Sequence, residues 1–246
     1  MKIALLISGE PRTIVFNEQI CFFKKLISSI VDDGHCVEVY MLFKLRNEPS
    51  YICSKEGVLN FIKLLETIHP VSVQFTNDYE EEQRAPRYYS QIKMIDNLLE
   101  KASRFNYDFF LRMRPDSVIK GKINFYNCSC DTVYTSNKFD AVGNDQVFLF
   151  HRNLFYSWWI PIIRPTLDET MGPNVTPEYV IFNNCRIYQV IESGLVVDFN
   201  KIKTWYSDTK QILDIGDYWF DFESYTRLKI SITNEEFINT YIQTVR

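Results

Sequence analysis

Three charged residues stand at the end of an apolar stretch near the middle of the chain. The segment YDFFLRMRPDSVI, residues 107–119, carries Arg112, Arg114 and Asp116 among large apolar side chains. Unpaired charges are rarely left in a protein core, because removing one from water is costly. The planar fork of arginine suits phosphate, and a neighbouring carboxylate suits a divalent cation or a ribose hydroxyl. The residue types therefore indicate a site for a phosphorylated, hydroxyl-rich ligand such as a nucleotide.

A purely structural interpretation of the same residues stays open. The two arginines could pair with internal carboxylates, and Asp116 could close a turn after Pro115. What decides between the two interpretations is where the surrounding elements place these side chains.

The first half of the chain has the pattern of alternating strands and helices. Strands are predicted over residues 2–8, 37–43, 71–75 and 107–113, and helices over 16–31, 57–68 and 84–104. Apolar runs of strand length and apolar residues at helical spacing support these assignments. Three successive strand–helix units favour a parallel sheet with right-handed crossovers.

The pattern changes after Asp116. Short strands are predicted over 132–135, 146–150 and 195–199, and helices over 153–163, 177–192 and 231–245. Because no repeat, low-complexity tract or linker interrupts the chain, we expect one α/β domain, with residues 1–116 as its first half and 117–246 as its second.

The predicted topology brings two loops to one edge of the sheet. In open α/β sheets, ligands bind outside the carboxyl ends of the strands. The Gly9–Arg12 loop follows the first strand and the Arg114–Asp116 turn follows the fourth, so both should border one cleft. Arg12 precedes a helix start, where anions are attracted. Alternatively, Arg12 could be an ordinary surface side chain exposed to solvent.

Composition narrows the class of protein. The chain has 246 residues, 46% of them hydrophobic, with a formal net charge of -4. This balance favours neither nucleic acid nor anionic lipid as a partner. No apolar run is long enough to cross a membrane, and the six cysteines lack metal-binding spacing. We expect a cytoplasmic protein with reduced thiols.

Three segments taken together resemble a known family. The stretches LLISGEPRT, YDFFLRMRPD and GNDQVFLF look like glycosyltransferases of the GT-A type from giant viruses, notably chloroviruses, and some bacterial relatives. The resemblance covers roughly residues 1 to 195. In GT-A enzymes an apolar strand ends in Asp-x-Asp, which binds the metal that bridges the donor's diphosphate. Here the order is Arg-Pro-Asp, so Arg114 occupies the first acidic position and only Asp116 remains.

The resemblance implies a GT-A-like single domain with a central mixed, mainly parallel sheet. It implies a nucleotide-diphosphate sugar as donor, with UDP as the nucleotide, and Mn²⁺ or Mg²⁺ held by Asp116. If the protein is viral, its place would be the cytoplasm of the host cell. The expected donor-binding residues are Gly9, Arg12, Arg87, Gln91, Arg112, Arg114 and Asp116. For Arg87 and Gln91 the alternative is an ordinary basic helix start facing solvent.

The acceptor, a glycan or glycoprotein, is expected to meet residues of the second half. An inverting transfer needs one carboxylate to take the proton of the attacking hydroxyl. Asp145, in GND ahead of an apolar strand, is the first candidate and Glu178 the second. Asp145 could instead be a turn residue. Thr176 and Pro177 form a good helix start, so Glu178 could serve only the helix dipole.

Two other functional classes remain open. A different nucleotide-binding α/β enzyme, such as a methyltransferase or kinase, is disfavoured because the chain lacks GxGxxG after the first strand and lacks GxxxxGK[ST]. An inactive relative that keeps the fold as a scaffold is compatible with the missing first aspartate. The aromatic residues Phe155, Tyr156, Trp158 and Trp159 have helical spacing, which favours a core position over stacking on sugars.

Overall fold

The computed structural model describes most of the chain up to residue 197. The described residues are 1–9, 14, 17–44, 55–76, 87–115, 117, 119–120, 122–135, 147–168, 175–183, 188–190 and 196–197. Within them, side chains are not described for 18, 55–59, 75–76, 87–88, 120, 178, 183, 188–190 and 196–197.

Nine strands are formed in this part of the chain. They are β1 (Lys2–Gly9), β2 (Cys36–Lys44), β3 (Ser72–Thr76), β4 (Phe109–Met113), β5 (Ile119–Lys120), β6 (Val133–Thr135), β7 (Val147–His151), β8 (Tyr188–Val190) and β9 (Val196–Val197). Seven of them form one sheet in the order β3-β2-β1-β4-β7-β6-β8, and β5 pairs separately with β9.

The large sheet is mixed and mainly parallel. Strands β3, β2, β1 and β4 are parallel neighbours, with Leu6 opposite Arg112 between β1 and β4. Strand β7 is antiparallel to both β4 and β6, and β6 and β8 are parallel to each other. The predicted α/β class, with a central mixed sheet whose first four strands are parallel, is confirmed.

The helices follow the strands in the predicted alternation. They are α1 (Asn17–Asp32), α2 (Lys55–Ile68), α3 (Arg87–Ser103), α4 (Arg152–Leu154) and α5 (Pro177–Asn183). A π-helix, Phe155–Ile163, continues directly from α4, and 3₁₀ turns lie at Phe125–Asn127 and Arg164–Leu167.

Both faces of the sheet are covered, because side chains alternate along each strand. Ile3, Leu5 and Ile7 of β1 belong to a core that contains residues of α1 and α2. Ala4 and Leu6 belong to a second core with α3, the π-helix and α5. Each strand therefore carries one set of side chains for each layer of helices.

The predicted aromatic helix forms, but with a different hydrogen-bond pattern. Phe155, Trp158 and Trp159 are buried, which confirms their assignment to the core. The assignment is wrong for Tyr156, which is 51% exposed. The N–H of Arg164 donates to Trp159 O, five residues back, as in a π-helix. Pro161 within it has no N–H to donate, so the regular α-helical bond is missing there.

The predicted helix over 177–192 is wrong in its second half. Helix α5 ends at Asn183, and Tyr188–Val190 is strand β8, paired with β6. Tyrosine and valine favour strands, and the unpaired edge of β6 offers them ladder hydrogen bonds that a helix would forgo. The predicted terminal helix over 231–245 lies outside the described residues.

A chain of hydrogen bonds joins β2 to the start of β4 at the amino edge of the sheet. Tyr107 donates its hydroxyl to Glu38, so Tyr40, 2.7 Å from the Tyr107 oxygen, acts as donor to Tyr107. Burial opposes ionisation of Glu38, but the hydrogen bonds from Tyr107 and Lys2 outweigh it and hold the pKa of Glu38 below its ordinary value of 4.5. Burial, and then the bond to Glu38, raise the pKa of Tyr107.

This network predicts an acid-sensitive part of the stability. Because the folded state lowers the pKa of Glu38, its contribution is present above pH 4.5 and is lost as the pH falls further. We expect Glu38→Gln to cost about 1 kcal/mol near neutral pH, since the carboxylate is partly exposed. Urea unfolding should show this difference from the wild type shrinking at about pH 3. Tyr107→Phe should reduce the same acid sensitivity, and a difference that does not change with pH would contradict the assignment.

Candidate functional site

The carboxyl ends of β1, β2 and β4 meet at one edge of the sheet, as the parallel order requires. Gly9 ends β1, Lys44 ends β2 and Met113 ends β4. Helices α1 and α3 begin on this side, since each follows a strand that ends there. Their N-terminal N–H groups make this edge favourable for anions. We call this region the carboxyl edge.

Gly9 sits in close contact with the turn that follows β4. Its φ of +141° is a backbone conformation that residues with a side chain rarely adopt. A Cβ placed there would lie 3.1 Å from Cδ of Pro115. The carboxyl end of β1 and the turn after β4 are therefore adjacent, as the predicted cleft between them requires.

Arg112 lies inside the fold rather than in the open cleft. Its side chain is 1% exposed on the face of the sheet covered by α3. Its Nε lies 3.4 Å from Ser8 Oγ and its Nη2 3.5 Å from Ser8 O, and its guanidinium lies 5.8 Å from the ring centre of Phe148. These long polar contacts and the cation–π contact place a positive charge beneath the end of β1.

Arg114 follows β4 directly and is only partly buried. Strand β4 and the residue after it therefore supply two basic side chains with different surroundings, one enclosed and one partly exposed. Arg114 is the one that can contact a ligand at the carboxyl edge directly.

Lys44 is a third basic residue at this edge, and the sequence analysis missed it. It is 3% exposed, and its Nζ donates to Ser90 Oγ at 2.9 Å, which joins the end of β2 to the first turn of α3. Its position in the sequence could have indicated it, because Lys44 ends an apolar strand in the same way as Arg112 and Arg114 lie at the end of the fourth predicted strand.

Gln19 is a second residue that the sequence analysis missed. It lies in the first turn of α1, is fully buried, and donates from Nε2 to Ser117 O at 2.7 Å. The N–H of Ser117 donates in turn to Arg114 O at 3.1 Å. Gln19 thus connects α1 to the segment that carries Arg114. A lone polar residue among the apolar positions of α1 was its only signal in the sequence.

The other predicted site residues are placed only in part. Arg87 is the first residue of α3, and Gln91, one turn later, is partly buried. Glu178 lies in α5, where Thr176 Oγ1 accepts from the N–H of Tyr179 at 3.3 Å, so the predicted helix cap is confirmed. The remaining three, Arg12, Asp116 and Asp145, lie outside the described residues.

Neither a metal centre nor a membrane-spanning helix is found in the part of the chain that the structure describes. No three His, Cys, Asp or Glu side chains there are placed to hold a metal ion. None of the described helices is both long and apolar enough to cross a membrane.

No protein-family model matches the sequence, and no curated protein is significantly similar to it. Similar solved structures include a glycosyltransferase involved in the glycosylation of the major capsid of PBCV-1, at 12% identity over 92% of this chain and 99% of that chain, with a TM-score of 0.43. Another is the glycosyltransferase GlyE of Streptococcus pneumoniae TIGR4, at 12% identity and a TM-score of 0.40, where 98% of this chain spans 64% of that one. A third is the galactosyltransferase LgtC, at 9% identity over 76% of this chain and 73% of that chain, with a TM-score of 0.40.

The contact at Gly9 gives a testable consequence. We expect Gly9→Ala to destabilise the fold by about 2–3 kcal/mol, because it combines backbone strain with an approach to Pro115 that the strand ends cannot relieve easily. The matched control is Gly34→Ala, where φ is +77° and nothing lies within 4 Å of the added Cβ. That variant should cost only about 1 kcal/mol, from backbone strain alone. Equal losses in urea unfolding would show that the Pro115 contact does not matter.

Proposed function

We propose that this chain is a glycosyltransferase of GT-A-like architecture. It transfers a sugar from a nucleotide-diphosphate sugar, UDP-linked, to a glycan or glycoprotein acceptor. The observation that carries the proposal is the position of Lys44, Arg112 and Arg114, each within one residue of the carboxyl end of β2 or β4. Ligands of open α/β sheets bind at this edge, and a diphosphate is the anion that such a group of cations suits.

The distribution of charge along the strands supports an anionic ligand. In the described part of the chain, the last two residues of β1, β2 and β4 and the two residues after β4 include no acidic side chain. Glu38 and Asp108 lie towards the opposite, amino edge, where they bond to Lys2. The N-termini of α1 and α3 add partial positive charge at the carboxyl edge.

The three basic residues have different roles in the proposed binding of the donor. Arg114, partly exposed, contacts the diphosphate directly. Arg112, enclosed beneath Ser8, contributes its charge without contact, which is effective because the surroundings are poorly screened. Lys44 fixes the first turn of α3, which brings Arg87 and Gln91 to the donor side.

The proposed divalent cation, Mn²⁺ or Mg²⁺, would be held by Asp116 and by the diphosphate of the donor. Ions of the magnesium type often use one or two carboxylates together with phosphate oxygens. Since Arg114 and Lys44 flank this edge, a cation should bind poorly before the nucleotide brings its negative charge. When bound, the cation would neutralise charge on the departing diphosphate, a task that Arg114 shares.

The transfer itself needs one base on the acceptor side. In the proposed inverting reaction, Asp145 takes the proton of the acceptor hydroxyl as its oxygen attacks the anomeric carbon, and the bond to the nucleotide diphosphate breaks. The departing diphosphate needs no acid, because fixed positive charge stabilises it. Glu178 is the second candidate for the base.

Nucleotide binding tests the first half of the proposal. Titration calorimetry should show UDP binding that strengthens with Mn²⁺ and weakens with a chelator. Arg114→Ala should weaken UDP binding by about 1.5–3 kcal/mol, or more than tenfold, because a charge-assisted hydrogen bond is lost. The control is Arg104→Ala, which removes an exposed arginine just beyond the far end of α3 and should bind normally.

Other outcomes of the same titrations separate the alternatives. Unchanged affinity in a folded Arg114→Ala variant would exclude its phosphate role. Binding of S-adenosylmethionine or ATP in place of nucleotide sugars would favour a different nucleotide enzyme. Binding of none of these ligands would favour a scaffold that keeps the fold.

Acceptor transfer tests the second half. Asp145→Asn keeps the shape of the side chain and removes its basicity, so transfer should fall by about a hundredfold or more while UDP binding stays intact. Asp131→Asn, which changes an exposed aspartate before β6, is the matched control. Near-normal transfer by Asp145→Asn would shift the role to Glu178. A product that retains the anomeric configuration would contradict the single-base mechanism.

A further inference from the structure

Gln19 is a buried polar residue that the proposed reaction does not yet use. Its side chain has no exposed surface, and its Nε2 donates to the backbone oxygen of Ser117 at 2.7 Å. Because a carbonyl oxygen only accepts, this contact assigns the nitrogen of the amide to the Ser117 side. The bond joins residues 98 positions apart in the chain.

We propose that Gln19 is a positioning residue for donor binding, which fixes Ser117, and through its hydrogen bond Arg114, at the carboxyl edge. The inference rests on the proposed nucleotide-diphosphate site, since that site gives the position of Arg114 its importance. Gln19 itself is not proposed to contact the donor.

The backbone around Arg114 is restrained on several sides, and Gln19 supplies the hydrogen bond that comes from α1. Pairing between β4 and its neighbours ends at Met113. Beyond it, Pro115 rests against Gly9, and the N–H of Ser117 donates to Arg114 O at 3.1 Å. The bond from Gln19 ties the far end of this segment to α1, the helix that starts at the same edge. The bond therefore adds a restraint from the α1 side to the contact with β1 and to the turn's own hydrogen bond.

The chemistry of the contact explains why an amide is needed. The other oxygen of the side chain, Oε1, is buried and has no hydrogen-bond partner. Leaving a buried acceptor unpaired is unfavourable, and an apolar side chain of similar size would avoid it. What the amide offers, and methionine or leucine cannot, is the donor to Ser117 O.

Two substitutions distinguish the role of the hydrogen bond that Gln19 donates from that of the space its side chain fills. Gln19→Met fills similar space without a donor, and we expect it to weaken UDP binding about fivefold or more, as Arg114 loses its fixed position. Gln19→Glu places a carboxylate oxygen against Ser117 O at neutral pH, so binding should fall at least as far. Burial and the facing carbonyl raise the pKa of the introduced carboxyl group. As the pH is lowered this group takes up a proton and can donate to Ser117 O.

The affinity of Gln19→Glu relative to the wild type should therefore recover as the pH falls from about 8 to about 6. The affinity of Gln19→Met relative to the wild type should not. A role limited to packing would leave the affinity of Gln19→Met, which fills similar space, equal to that of the wild type. Ile30→Val, a buried change at the other end of α1, is the matched control and should bind UDP as the wild type does.

Hydrogen exchange of the backbone amides over residues 114–119 provides a readout that needs no ligand. Exchange there should be faster in Gln19→Met than in Ile30→Val. If the wild type binds no nucleotide, the proposed donor site fails, and unchanged exchange in Gln19→Met would overturn the positioning role separately. If the wild type binds UDP and both Gln19 variants bind it equally well at every pH, the positioning role is wrong and the donor site stands.

Discussion

The ends of β1 and β4 meet where a residue other than glycine would be strained. Gly9 adopts a φ of +141°, and its Cα lies so close to the Pro115 ring that an added methyl group would be only 3.1 Å from Cδ. Because Gly9 is the last residue of β1 and Pro115 follows β4 by two residues, this contact keeps the turn that carries Arg114 beside the end of β1. The geometry of the carboxyl edge depends on this contact.

The charged side chains at the two edges of the sheet have different surroundings. Lys2, Glu38 and Tyr107 form a compact network at the amino edge, where positive and negative groups satisfy one another. At the carboxyl edge, Lys44 and Arg112 are almost fully enclosed, and each contacts a serine hydroxyl: Ser90 of α3 for Lys44 and Ser8 of β1 for Arg112. An enclosed cation acts over a longer range than an exposed one, because less solvent screens it. Among the described residues, the basic side chains of the sheet are therefore found at both of its edges, and those at the carboxyl edge are the more enclosed.

Strands and helices were predicted well from the sequence where the apolar pattern of the segment itself decides its structure. The four parallel strands and the three long helices lie within a few residues of their predicted positions, because each has an apolar pattern of its own. Strand β8 was missed, since a three-residue strand is decided by its neighbour β6 and not by its own pattern. Arg112 and Arg114 were recognised as unusual, yet only the structure separates the enclosed residue from the accessible one. Lys44 and Gln19 were missed because their partners are 46 and 98 residues away.

Under the proposed function, Arg114 stands where GT-A enzymes carry the first acidic residue of their metal site, which changes how a diphosphate would be stabilised. A metal ion held by two carboxylates arrives with its own charge and must first be bound. An arginine on a restrained backbone is present before the ligand and needs little reorganisation when charge develops on the leaving group. This advantage exists only if the backbone is held accurately, because a fixed charge displaced by about 1 Å loses much of its effect. Under the proposed function, the contacts of Pro115 with Gly9 and of Ser117 with Gln19 are therefore the structural counterpart of the missing carboxylate: they supply by rigidity what a second metal ligand would supply by coordination.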